Sequence, residues 1–85
     1  MCIIKKEQSV PTVMLVSGFR FFFYSREETR MHIHVEYQGR TVKIWLDNFE
    51  IAENRGFQAY QLNEIQKLTR INEKALKKAW IAHFG

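Results

Sequence analysis

Two imidazoles stand two residues apart, His32 and His34, in the run 31–37, MHIHVEY. Residues at i and i+2 of an extended strand share a face, so both rings and Glu36 point one way while Ile33, Val35 and Tyr37 point the other. Such a pair can serve as acid and base in RNA cleavage, because imidazole titrates near neutral pH. It can also hold a divalent metal if a third ligand arrives, with Asp47 or His83 as candidates. The plainer assignment gives one ring a backbone carbonyl and the other to solvent. Without a clear third ligand no metal is assigned, and no cofactor is implied.

A second group is Glu53-Asn54-Arg55-Gly56. It reads as a turn in which Asn54 bonds local backbone, Glu53 pairs with Arg55, and Gly56 takes a positive φ. The planar fork of Arg55 also suits a phosphate or carboxylate, with Arg20 and Lys43 joining it if the strands bring them together. A third group is the row Lys67, Arg70, Lys74, Lys77 and Lys78. Such a stripe can track a phosphate backbone, and it is equally the solvated side of an amphipathic helix. No short helix precedes it, which argues against a helix-turn-helix. The sequence has no phosphate-cradling glycine loop, dinucleotide fingerprint, paired cysteines or nucleophile elbow.

These groups need a frame, and the hydropathy pattern predicts one. Residues 1–9 read as a loose N-terminal arm and residues 10–85 as a single domain. Strands are expected at 10–16, with Pro11 near the start where its missing N–H is tolerated, and at 19–25 after a Ser17-Gly18 turn. A charged loop at 26–30 leads into the histidine strand. After a turn at 38–40 comes a strand at 41–46, then a turn at Asp47-Asn48 and a short apolar element at 49–52. From Gln58 to Phe84 the period becomes helical: Leu62, Ile65, Leu68, Ile71, Ala75, Leu76, Ala79 and Trp80 share one side, opposite the cations. Ile81 falls among those cations. The helix either runs through or breaks near Asn72, which can cap a second segment. The expected fold is α+β: a small antiparallel β-meander of about four strands packed against a C-terminal amphipathic helix. The helix covers one sheet face, and the histidines are expected on the other, partly open face.

The chain has 85 residues, a net charge of +4 and a single cysteine. Each half carries a net +2, so the mild basicity is compatible with nucleic acid without pointing to it. One cysteine forms no internal disulfide, which predicts a reducing cytoplasm. Ser17, Gly18 and Arg20 interrupt the apolar stretch 10–24, so no membrane span is expected. Phe19, Phe21 and Phe23 alternate with Arg20, Phe22 and Tyr24, so both faces of that strand carry rings. These rings and Trp45 read as mostly core; any that so small a domain leaves exposed would dock a protein or stack bases.

The order PT…GFRFFFYS (11–25), HIHVE, KIWL, AENRGF and a final W-x-x-x-F-G resembles a family of short bacterial proteins. That family is catalogued as a domain of unknown function, number four thousand one hundred and sixty. The resemblance runs from Pro11 onward, and His32, His34, Asn54, Arg55 and Gly56 match its recurring pattern. Members often carry two prolines before the first histidine; here Arg30 and Met31 stand there, implying a less rigid approach to His32. The resemblance implies a two-gene setting and a toxin–antitoxin-like role, and it supplies no catalytic residue. The leading expectation is therefore a non-enzymatic protein-interaction module, with a protein partner or self-association. The alternatives are a nucleic-acid-binding protein or ribonuclease using His32, His34, Arg55 and the helix lysines, and a metal-binding module.

Overall fold

A computed structural model of the chain describes residues 12–24 and 29–84. The expected arm at 1–9, Pro11 and most of the charged loop at 26–30 lie outside the described residues. Five strands, β1 (Thr12–Val16), β2 (Phe19–Phe22), β3 (His32–Tyr37), β4 (Arg40–Trp45) and β5 (Ile51–Arg55), form one antiparallel sheet in the order β1-β2-β3-β4-β5. Two helices, α1 (Ala59–Ile71) and α2 (Glu73–Phe84), follow. The α+β meander is as the periodicity predicts, with one strand more than about four.

Two tight hairpins set the register. Ser17 and Gly18 have φ of 51° and 85°, and Gln38 and Gly39 have 50° and 80°. Positive φ at both central residues is the type I′ geometry, whose twist matches that of the flanking strands. At Gly18 a Cβ would also meet the Tyr37 ring at 3.0 Å.

The two edge strands carry irregularities that alternation alone does not reveal. Across β4 and β5, Lys43 pairs with Glu53 but Ile44 pairs with Ile51, which leaves Ala52 as an extra residue. This bulge turns Ile51 to the core while Glu53 and Arg55 face the other side. The expected element at 49–52 is thereby displaced, and Asn54 and Arg55 end a strand where a turn was expected. On β1 the shift between Thr12 and Met14 leaves Val13 as the extra residue. Bulges on both outer strands discourage edge-to-edge pairing with another chain.

Helix α1 starts where the Gln58 N–H donates to the Gln61 side chain at 2.9 Å. It ends at Asn72, whose side-chain amide and backbone N–H both donate to the Leu68 carbonyl, at 2.9 and 3.1 Å. The helical run is therefore broken, and α2 begins with the Leu76 N–H donating to the Asn72 carbonyl at 2.9 Å. The break shifts the phase. Ile65, Thr69, Leu76 and Trp80 are buried, whereas Ile71 and Ala75, expected inward, are exposed. Thr69 satisfies its hydroxyl by donating to the Ile65 carbonyl at 2.7 Å.

The core lies between the helices and one sheet face. Phe19, Phe21, Phe23, Ile33, Val35, Val42, Ile44 and Leu46 meet Ile65, Leu76 and Trp80 there. Among the described residues no helix is long and apolar enough to cross a membrane.

Candidate functional site

The other sheet face has no helix on it, and the register arranges its side chains in two rows. Phe22, His34, Lys43 and Glu53 lie side by side across β2 to β5. Beside them run Arg20, Glu36, Thr41 and Arg55. The sheet thus gathers Arg20, His34, Lys43 and Arg55, four of the residues singled out from the sequence, on one surface.

Within that surface a pocket of about 160 Å³ is lined by Tyr24, His34, Thr41, Lys43, Glu53 and Arg55, with Phe22 and Val42 beneath. Arg55 donates to Glu53 at 2.8 Å, and its side chain is three-quarters exposed. Arg20 donates to Glu36 at 3.0 Å and to the Thr12 hydroxyl at 2.9 Å. The Lys43 ammonium stands 4.7 Å from the centre of the Trp45 ring.

The two histidines differ sharply. His34 is half-buried, stacked on Phe22 at 5.4 Å and edge-on to Tyr24 at 4.6 Å. His32 is fully buried, with the Trp45 and Trp80 rings standing edge-on to it at 5.8 and 5.0 Å. Its Nδ1 lies 2.7 Å from the Arg30 carbonyl and, facing an acceptor, is the nitrogen that donates. The expectation that both rings lie on an open face therefore fails at His32. Burial beside Trp80 keeps it from solvent, so acid–base work by the pair has only one accessible ring.

Arg30 stands where the prolines would be, and it holds the approach to His32 by another means. Its guanidinium donates to both carboxylate oxygens of Asp47, at 2.9 and 3.0 Å, and lies 4.0 Å from the Trp45 ring centre. This pair ties the residue two places before His32 to the turn after β4. Arg30's hydrogen bonds hold the Asp47 carboxyl below its ordinary value. Asp47 is thus engaged by an arginine, and His83 stacks near Phe23 at 6.1 Å. Among the described residues no three His, Cys, Asp or Glu side chains gather as a metal site.

Asn54 points away from the pocket. Its amide donates to the Phe57 carbonyl at 3.0 Å and accepts from the Phe57 N–H at 3.1 Å, closing the turn at Gly56. That is the local-backbone role expected for it. The remaining predicted cations, Lys67, Arg70, Lys74 and Lys77, lie on the helices in the opposite layer. Lys77 pairs with Glu73 at 2.7 Å, and Arg70 lies 5.6 Å from the Phe49 ring centre. Lys67, Lys74 and Lys78 are exposed and make no ion pair among the described residues.

The rings on the open face are covered. Phe22 is buried under Arg20, 4.4 Å from its ring centre, together with Tyr24 and His34. The rings at 19–23 are thus core, as expected from the sequence, and on the open face these neighbours do the work of a second layer. Tyr24 alone of those strand rings stays substantially exposed. Thr41 and Glu53, which sequence reasoning did not assign to binding, complete the pocket wall; Thr41 was readable from its two-residue spacing to Lys43.

A family model described as "Domain of unknown function (DUF4160)" matches residues 18–81. The chain belongs to the DUF4160 family. The match takes in β2 to β5, α1 and most of α2, so the rows of the open face and most of the helix layer fall inside the DUF4160 domain. No curated protein and no solved structure matches the chain.

Proposed function

We propose that this chain is a non-enzymatic, cytoplasmic protein-interaction module, one half of a toxin–antitoxin-like two-gene pair. Its partner docks on the outer face of the helices. The supporting observation is the company of Ile81. It is 58 % exposed on α2, beside exposed Ala82 and one to two turns from exposed Lys74, Ala75 and Lys78. Residues at i, i+4 and i+7 share a helix face, so the lysines and Ile81 form one stripe. Ile71, 69 % exposed at the end of α1, adds a second large apolar side chain three residues before Lys74.

Between Ala59 and Phe84 five cations face two carboxylates, one of which is already paired with Lys77. A surface that joins aliphatic side chains to unpaired lysines fits an acidic amphipathic segment of another protein. A phosphate backbone would use the lysines but gain nothing from the isoleucines, which is why nucleic acid ranks second. With His32 buried, only one ring of the histidine pair is accessible, which lowers the ribonuclease reading further.

The test is titration with the products of the genes that flank the one encoding this chain. Reversing two charges, Lys74→Glu with Lys78→Glu, should weaken the complex about a hundredfold, since like charges across an interface cost several kcal/mol. Unchanged affinity in that variant would remove the proposal. Binding of single-stranded RNA that depends on the same lysines, with no binding to the neighbours' products, would install the nucleic-acid reading instead.

A further inference from the structure

We infer that the open sheet face carries a separate site for a nucleotide, with the phosphoryl group in the pocket between His34, Thr41, Lys43 and Arg55. Register makes the argument. Lys43 lies directly opposite His34, and Thr41 directly opposite Arg55, in neighbouring rows. Side chains directly opposite are about 5 Å apart at Cβ and diagonal ones about 7–8 Å. Four hydrogen-bond donors, an imidazole, a hydroxyl, an ammonium and a guanidinium, therefore line one pocket small enough for a single phosphoryl group.

The pocket's size sets what enters. At about 160 Å³ it is well below the ~300–1,000 Å³ of clefts that enclose drug-sized ligands, so only one group goes in. The rest of the ligand rests on the rim, where Tyr24 is 44 % exposed and stands edge-on to His34, itself stacked on Phe22. Tyr24, the exposed ring among them, offers a base one face to stack on. Glu53 is an acceptor for a base amino group and also the present partner of Arg55. That pair is solvent-exposed and of little net strength, so Arg55 can turn from Glu53 to a phosphate.

This site lies on the layer opposite the helix lysines, and its test is independent of the docking reading. Isotope-labelled protein is titrated with adenosine 5′-monophosphate, inorganic phosphate and adenosine while the NMR signals of Tyr24, His34, Thr41, Lys43 and Arg55 are followed. The expected result is saturable shifts at these residues, tightest for the nucleotide. Arg55→Ala and Lys43→Ala should each weaken binding about tenfold, while Lys74→Ala with Lys78→Ala leaves it unchanged. Should Lys43→Ala disturb the fold through Trp45, Thr41→Val and Arg55→Ala still carry the test. A 5′-phosphorylated oligoadenylate that binds more tightly than the mononucleotide would name a strand end as the source; the reverse order would name the free nucleotide. Inorganic phosphate binding as well as the nucleotide, or equal losses in the helix-lysine variant, would overturn the inference.

Discussion

The open sheet face and the outer face of the helices both carry cations, and they treat them differently. On the sheet, Arg20 meets Glu36, Arg30 meets Asp47 and Arg55 meets Glu53 across short distances. On the helices, Lys67, Lys74 and Lys78 meet no carboxylate among the described residues, and Ile71 and Ile81 are exposed on the same two helices. A charge-balanced surface with a small donor-lined hollow suits a small ligand. A surface with unbalanced charge and bare aliphatic side chains suits a macromolecular partner. The difference lies in pairing, and it cannot be read from charge counts alone.

The comparison breaks first at the residue that joins the two layers. Trp80 is buried against Phe23 at 5.3 Å and against His32 at 5.0 Å, so it links α2 to the histidine strand. Trp80→Ala should cost about 3–5 kcal/mol in denaturant unfolding, a large share of the stability of a small domain. It should disturb both surfaces together. A loss under 1 kcal/mol would mean that the layers are not joined there.

How much of this was legible follows from range. The histidine strand, the type I′ turn residues and the inward set Leu62, Ile65 and Leu68 are local patterns, and alternation or helical period finds them. The bulge at Ala52 is not local: it appears only when Ile44 pairs with Ile51. One inserted residue reverses the faces downstream, which is why Arg55 was expected in a turn. The break at Asn72 was visible as an alternative, yet its effect on Ile71 and Ala75 depends on which carbonyl Asn72 engages. The burial of His32 depends on a tryptophan 48 residues later, and no spacing rule reaches that far.

Two smaller effects sharpen the contrast on the sheet side. Glu36→Gln removes the carboxylate charge facing Arg20, and the unfolding free energy should fall by about 0–1 kcal/mol. A larger loss would show that the sheet-face pairs are structural and not merely neutralising. The smallest effect concerns Asp47, whose carboxyl is lowered chiefly by its hydrogen bond from Arg30. A lowered folded-state value adds stability above the ordinary carboxylate range, and that stability is lost as pH falls through the lowered value. Asp47→Asn should flatten this acid limb in pH-dependent melts and leave neutral-pH binding alone. An unchanged acid limb would show that the Arg30 pair does not persist in solution.

The most direct test of the two-surface account is native mass spectrometry of untagged protein from its own host, run on two variants beside the parent. The account predicts a complex with a second small acidic protein that survives Lys43→Ala with Arg55→Ala and disappears in Lys74→Glu with Lys78→Glu. A complex lost with the sheet-face pair and kept with the helix pair would contradict it, as would a bare monomer in every case.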